Sequence, residues 1–395
     1  MKDKNQKIRI LYYEPSSGYG GSSRCLLSWL TYIDKDKFEP LLIARSNGPS
    51  IKKIKKLGIK TIRIPYISLL KWLLPLHNNI ISYLILFEEI IFNIMPVALI
   101  IAVIAKVKKI NLIDLNSSII NVMPAILASK LATIPTVCHI HDTRKLTKIE
   151  NFFGKFVDVF IVLTNYAVKS YSSELRQKKI LLVFNGLNVD EMKILSPGMD
   201  IREEFKLNHK NILVGLVGRI VHGKGHIDFI KAANIIKDFN QGIIFLIVGS
   251  SDSQHIQLER QLRDLVKSFG LEKDVIFTGW REDIKKVMMN LDIVVQASTT
   301  FPEGFGLTSI EAMSFGKPVV ATDIPGSAET VLNNVTGFLV PPAQPHILAE
   351  KILILVNNPE LRSKMGKAGL ERVEKLFNIV TQTKSIEEIY KKYYK

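Results

Sequence analysis

LDIVVQASTTFPEGFGLTSIEAMSF, residues 291–315, is the stretch that decides the fold. Leu291 to Gln296 is short and rich in β-branched side chains, the pattern of a strand buried on both faces. Ala297 to Thr308 follows as a loop punctuated by Pro302, Gly304 and Gly306, and a helix then continues through Phe315. Strand, glycine loop and helix in that order make a βα unit of a parallel sheet, whose strands are joined by crossover helices and not by hairpins.

The same rhythm extends in both directions. The first half offers strands at Lys7 to Tyr13, Glu39 to Ala44, Lys60 to Ile64, Leu112 to Asn116, Thr136 to His139 and Val159 to Leu163. The second half offers Asn211 to Val217, Ile243 to Val248, Val275 to Thr278, Ile293 to Gln296, Pro318 to Ala321 and Gly337 to Val340. Helical patterns lie between them, so the chain reads as α/β, two doubly wound parallel-sheet domains in tandem. Turn residues in Phe184-Asn185-Gly186-Leu187-Asn188 separate the two series and divide a domain at 1–187 from one at 188–377. At 395 residues there is chain enough for each to bury its own core.

Composition narrows the class. With 47% hydrophobic and 23% charged residues the chain falls outside the disordered range. Its two cysteines, Cys25 and Cys138, stand in no metal-ligand spacing, so neither a disulfide framework nor a zinc site is expected, and the cytoplasm is the expected location. No signal peptide is expected either, because the apolar run Ile8 to Tyr13 is too short and leads into glycines. A net charge of +16 and a pI near 9.6 favour anionic partners.

The stretch from Ile67 to Ala105 is strongly apolar. Two charge-free runs of 16 residues, Trp72 to Phe87 and Ile90 to Ala105, fall short of a bilayer span of roughly 18 to 20 residues and are expected to form buried or interfacial helices. Upstream, Ile51 to Arg63 holds six basic residues and no acid, with Ile51, Ile54 and Leu57 at helical spacing. It reads equally as a solvated helix face and as a patch, through Lys52, Lys53, Lys55 and Lys56, for the anionic inner face of a membrane.

Three glycine-rich loops carry the chemistry. The first is Gly18-Tyr19-Gly20-Gly21-Ser22-Ser23, between the first strand and a helix beginning near Ser22. Ser23 stands where a dinucleotide fingerprint needs glycine, and Arg45 and Ser46 where it needs a ribose-binding acid, which argues against NAD. A plain tight turn, or helix amides facing an anion, remain. The second loop, Gly218 to Gly225, has the spacing of a P-loop, but Gly225 replaces the hydroxyl that ligates magnesium. Arg219 and Lys224 remain beside exposed amides, which suits a diphosphate neutralised without a metal.

In the third loop Glu303 and, eight positions on, Glu311 flank the amides of Phe305 to Thr308 at the positive end of a helix. Gly304 and Gly306 let backbone approach a ligand there, and the carboxylates suit the vicinal hydroxyls of a ribose or hexose. Glu311 also reads as the last member of a capping box, Thr308-Ser309-Ile310-Glu311. Glu303 has no such structural duty and lies in the usual ligand crevice at the carboxyl end of a parallel strand.

Taken together, the Arg219 and Lys224 loop, the Glu303-x7-Glu311 spacing and the Gly20-Gly21 turn resemble the retaining GT-B glycosyltransferases of the large family four, glycosyl transferases group 1. Gly279, the run Asp323-Ile324-Pro325-Gly326 with Glu329, and Val335 to Val340 extend the likeness over the second half; the first half matches weakly beyond its first loop. The resemblance implies the GT-B fold, two Rossmann-like doubly wound domains facing across a donor/acceptor cleft, with a C-terminal helix at 378–395 packing back on the first domain. It implies a hexosyltransferase that moves sugar from a UDP-, GDP- or ADP-sugar to a glycan or lipid-linked acceptor with retention, without cofactor or metal, in cell-surface polysaccharide or glycoconjugate synthesis.

Carried onto this chain, the resemblance gives the donor diphosphate to Arg219 and Lys224, with Gly218 and the amides of Gly304, Phe305, Gly306, Leu307 and Thr308. Glu311 would bond the ribose and Glu303 the hexose, while Gly279, Trp280 and Arg281 would lie against the base through backbone groups. Gly20 and Gly21 would close over the phosphates. His139 and His141 both resemble the family's histidine near the acceptor, and His141 is preferred because strand alternation ends before it. A nucleotide-sugar epimerase or hydrolase of the same shape, and a non-catalytic membrane-associated binding subunit, are the competing readings. Nucleic acid is not an expected partner, since the basic residues are not interleaved with stacking aromatics. Asp34-Lys35-Asp36, in a charged loop, reads as surface charge and not as a metal site.

Overall fold

In a computed structural model of the chain, residues 7–16, 20–65, 87–175, 178–193, 200–239, 242–300 and 303–394 are described. Gly18 and Tyr19 of the first glycine loop, Phe301 and Pro302 of the third, and most of the apolar run Trp72 to Phe87 lie outside these residues. The chain forms two compact units, Met1–Asn185 with Ile379–Lys395, and Gly186–Asn378.

The first unit is built on seven parallel strands: β1 Ile8–Glu14, β2 Phe38–Ala44, β3 Lys60–Arg63, β4 Leu112–Asn116, β5 Thr136–Ile140, β6 Val159–Val162 and β7 Lys179–Leu182, in the order β3-β2-β1-β4-β5-β6-β7. The second is built on six: β8 Ile212–Val217, β9 Ile243–Val248, β10 Val275–Gly279, β11 Ile293–Gln296, β12 Val319–Thr322 and β13 Gly337–Val340, in the order β10-β9-β8-β11-β12-β13. The order reverses direction beside β1 in one sheet and beside β8 in the other, as in a doubly wound fold. Strands inside a parallel sheet are covered on both faces, and β9, Ile-Ile-Phe-Leu-Ile-Val, is buried at all six positions. The edge strand β7 was not expected from sequence. Its Lys-Ile-Leu-Leu is half-exposed, carries little β-branched pattern, and becomes a strand by pairing with β6.

In the first unit, alternation along the strands sorts the helices to two faces. Leu11, Tyr13, Leu41, Ile43, Ile113 and Leu115 pack with the helices Met95–Val107 and Ile119–Ala132. On the other face the ring of Tyr12 meets that of Tyr390, in the helix Ile379–Tyr393, at 6.3 Å, and Phe38 meets it at 6.0 Å. That helix packs on Gly21–Tyr32, which in turn packs on Pro49–Lys56. Ile51 and Ile54 turn inward, so Lys52, Lys53, Lys55 and Lys56 are exposed on the sheet face opposite Met95–Val107.

The C-terminal helix is tied to the first unit by polar contacts as well as rings. Tyr390 Oη donates to Asp114 Oδ2 at 2.7 Å, and Glu387 Oε1 accepts from the Asp34 amide at 2.7 Å. Asp114 and Tyr390 are both buried, so the bond replaces water that neither group can reach. In the second unit, His226 opens the helix His226–Ile236, is 2% exposed, and has no hydrogen-bond partner on either ring nitrogen among the described residues. Burial, with a smaller contribution from Lys224, holds its pKa down to about 4.

Tyr390→Phe removes one donor from a buried carboxylate and is expected to lower stability by about 1–3 kcal/mol, read as an earlier urea midpoint with an unchanged m-value. His226 is neutral in the fold but protonates near its ordinary pKa of 6.5 when unfolded. Stability is therefore lost as pH falls from about 6.5 towards about 4, on the order of 3 kcal/mol in total. His226→Met is expected to flatten that part of the stability–pH curve; an unchanged slope between pH 7 and pH 4 speaks against a neutral buried imidazole.

Candidate functional site

The loops that follow β8, β9 and β11 emerge, with the end of β12, on the same, carboxyl edge of the second sheet and are bonded to one another there. Ile220 N–H donates to Ser250 O at 3.0 Å, Thr299 N–H to Gly223 O at 2.7 Å, and Thr322 Oγ1–H to Ser298 O at 2.6 Å. The approach is as close as glycine allows. A Cβ at Gly225, where φ is +79°, would overlap the Ala297 carbonyl, and one at Gly326 would overlap the Glu303 carbonyl. This contact brings Lys224 onto the third loop, where its ammonium pairs with Glu303 Oε1.

Glu303 Oε1 also accepts from Ser298 Oγ at 2.7 Å, so its carboxylate is oriented by two groups from the chain itself. The expectation that Glu303 has no structural duty is thereby corrected: it joins the two loops. Arg219 is exposed, with no side-chain partner among the described residues, and adds a second positive charge to the same edge. Gly218 precedes it at the turn out of β8.

The helix after the third loop is Leu307–Ser314, capped by Gly306 in the left-handed region at φ +81°, with no side-chain cap bond. The capping box at Thr308 to Glu311 is corrected too. The helix starts before Thr308, so Thr308 and Glu311 lie inside it, and Ser309 Oγ donates instead to Gln296 Oε1 at 2.5 Å. Gln296 Nε2 reaches Ser327 Oγ at 3.1 Å, which pins the helix start to the neighbouring helix Pro325–Thr330. Glu311 is buried beneath this turn, and Gly304, Leu307 and Thr308 are part-exposed above it. Phe305 turns away to stack edge-on against Phe377 at 5.4 Å, leaving its backbone at the loop.

Gly279 ends β10 at φ +72° and its carbonyl accepts from the Gly249 amide at 3.0 Å. Trp280 beside it is 60% exposed. The Arg281 side chain is held by Glu204 and by Asp283, at 2.6 Å from Nη2, so only its backbone is available to a ligand at this corner. Positive charge, uncapped helix amides and the Glu303 carboxylate therefore lie on one edge, a combination that suits a phosphorylated sugar.

The first unit has a polar group of its own at the carboxyl ends of β1, β4 and β5. His141, just past β5, bonds through Nε2 to Asn116 Oδ1 at 2.7 Å, and Asn116 Nδ2 donates to Glu14. Burial, and the neighbouring His139, hold the His141 pKa down to about 3, so its ring is neutral at ordinary pH. Burial raises the pKa of Glu14. His139 is fully buried and spends Nε2 on Asp114 at 2.8 Å, while Trp29 lies over both rings, at 4.4 Å from His139 and 5.9 Å from His141. Gly20 caps the helix Gly21–Tyr32 and has open space where a Cβ would stand. Glu14, Asn116, Ser298 and Gln296 were not singled out from sequence. Their only signal is a polar residue at or just beyond the last position of a strand.

Residues 199–372 match the family described as Glycosyl transferases group 1. Over 243 residues the chain is 28% identical to the capsular polysaccharide biosynthesis glycosyltransferase CapM of Staphylococcus aureus, an alignment covering 60% of this chain and 62% of CapM, less than two thirds of that relative. Over 407 residues it is 24% identical to the UDP-Gal:alpha-D-GlcNAc-diphosphoundecaprenol alpha-1,3-galactosyltransferase of Escherichia coli, covering 99% of this chain and 98% of that one. Among solved structures, HepE of Anabaena in complex with UDP matches with a TM-score of 0.81 at 23% identity, over 98% of this chain and 100% of HepE, a likeness of fold. Two parallel α/β units and the likeness to HepE place the chain in the GT-B fold, and its residues 199–372 are similar to the glycosyl transferases group 1.

Proposed function

We propose that the chain transfers a hexosyl residue from a nucleotide-diphosphate sugar to a hydroxyl of a glycan or lipid-linked acceptor, with retention and without a metal. The observation that supports this most is the meeting of Lys224 with Glu303 beside Arg219 and the first turn of Leu307–Ser314. Two cations and uncapped amides suit a diphosphate, while carboxylates on either side suit hydroxyls. The relatives agree in kind: HepE has been crystallised with UDP-glucose, the Escherichia coli relative is named for UDP-Gal and a lipid diphosphate, and CapM for a capsular polysaccharide. The proposed setting is cell-surface polysaccharide synthesis on the cytoplasmic side.

In the proposed step the bond from sugar C1 to the diphosphate oxygen breaks and a bond from C1 to the acceptor oxygen forms on the same face. The acceptor's proton passes to the departing diphosphate oxygen. Lys224, Arg219 and the amides of Leu307 and Thr308 take up the charge that grows on the leaving group, the interaction worth most in such a site. Glu303 receives the sugar hydroxyls and Glu311 the ribose, and backbone groups at Gly279 to Arg281 receive the base. In the first unit His141 is the proposed acceptor-side residue.

Lys224→Ala and Glu303→Ala are each expected to lower kcat by about 10²–10³-fold with an unchanged circular dichroism spectrum; wild-type turnover in either variant sinks the assignment. Thermal shift against UDP-, GDP- and ADP-sugars is expected to single out one nucleotide. Sugar release at the same rate with and without acceptor makes the chain a hydrolase instead.

A further inference from the structure

The helix running from Glu89 to Val107 is apolar on both sides. Its inner side chains, including Ile94, Ala98, Ile101 and Ala105, belong to the first unit's core and pack on Ile119–Ala132. Its outer face presents Ile91, Phe92, Leu99, Ile100, Val103 and Val107, between 41% and 73% exposed. A crossover helix that faces water carries polar residues on that side. Here no charged residue occurs from 90 to 105; the next are Lys106, Lys108 and Lys109, all exposed, and no acid occurs before Asp114.

With 19 residues, and a mean hydropathy of 2.5 over its most apolar 18, the helix is long and apolar enough to cross a bilayer. Crossing would strip the core of its inner face and break the connection into β4. A helix fixed flat on a sheet, with an apolar outer face that ends in cations, suits the boundary of a bilayer, its side chains among acyl chains and its lysines at lipid phosphates. We propose that this outer face docks the first unit on an anionic membrane surface, with Lys106, Lys108 and Lys109 contacting the headgroups. Charge selects this occupant over a second copy of the chain. A net charge of +16 draws an anionic surface and is doubled in a dimer. The lysines of Pro49–Lys56, on the opposite sheet face, take no part. The proposal goes beyond the transfer reaction and does not depend on it.

The test is flotation of the full chain with phosphatidylglycerol/phosphatidylcholine vesicles and with phosphatidylcholine vesicles alone, alongside light scattering of the free protein. The wild type is expected to float with the anionic vesicles. Phe92→Ser/Leu99→Ser/Val103→Ser, checked for an unchanged melting midpoint, is expected to lose about tenfold or more in vesicle affinity. Lys106→Gln/Lys108→Gln/Lys109→Gln is expected to weaken binding and its salt dependence, and neutralising Lys52, Lys53, Lys55 and Lys56 to leave both intact. A wild type that does not float, an apolar variant that floats as the wild type does, or a wild-type dimer that the apolar variant turns into a monomer overturns the proposal.

Discussion

A parallel strand cannot return to its neighbour by a hairpin, and this constraint governs both units. Each of the strands must be followed by a segment that travels back along the sheet, so every loop leaving a strand's carboxyl end opens on the same edge. Residues far apart in sequence, Lys224 and Glu303 among them, are thus delivered to one place without any contact being designed between them in the chain. The remaining requirement is that the loops come close enough for side chains to meet. Gly225 against Ala297 and Gly326 against Glu303 satisfy it, because a methyl group at either position would overlap a carbonyl.

The electrostatics of the edge follow from this packing. Arg219 is free to meet solvent or ligand, Lys224 is pinned to Glu303, and the helix Leu307–Ser314 begins at a glycine that offers no side-chain cap. A side chain acting as cap would have consumed the amides that a phosphate needs. Gln296 secures the same helix from behind, through Ser309 and Ser327, so the amide end is held without being blocked. The first unit works differently. Its strand ends carry Glu14, Asn116 and a neutral His141 in a chain of hydrogen bonds.

Much of this was legible in the amino-acid order. Strands such as Ile243–Val248 and Ile293–Gln296 stand out because burial on both faces demands short, unbroken apolar runs, and the glycine loops stand out because only glycine serves close approach. The edge strand β7 did not stand out, since an edge asks less of its residues. The supposed capping box failed for a related reason. The spacing from Thr308 to Glu311 is a local pattern, but the helix start was set by Gly306 and by Gln296, which lies on another element.

The sequence by itself determined the alternation of strands and helices, the two-unit division and which loops carry glycine and charge, because these depend on burial period and backbone freedom within short segments. Only the tertiary structure decided that Glu303 bridges two loops, that Asn116 and Glu14 stand behind His141, and that the apolar helix and the lysine-rich helix occupy opposite faces of one sheet. Those facts depend on which strands become neighbours and which way each crossover passes. Local patterning cannot encode either, because both are settled by how whole elements pack.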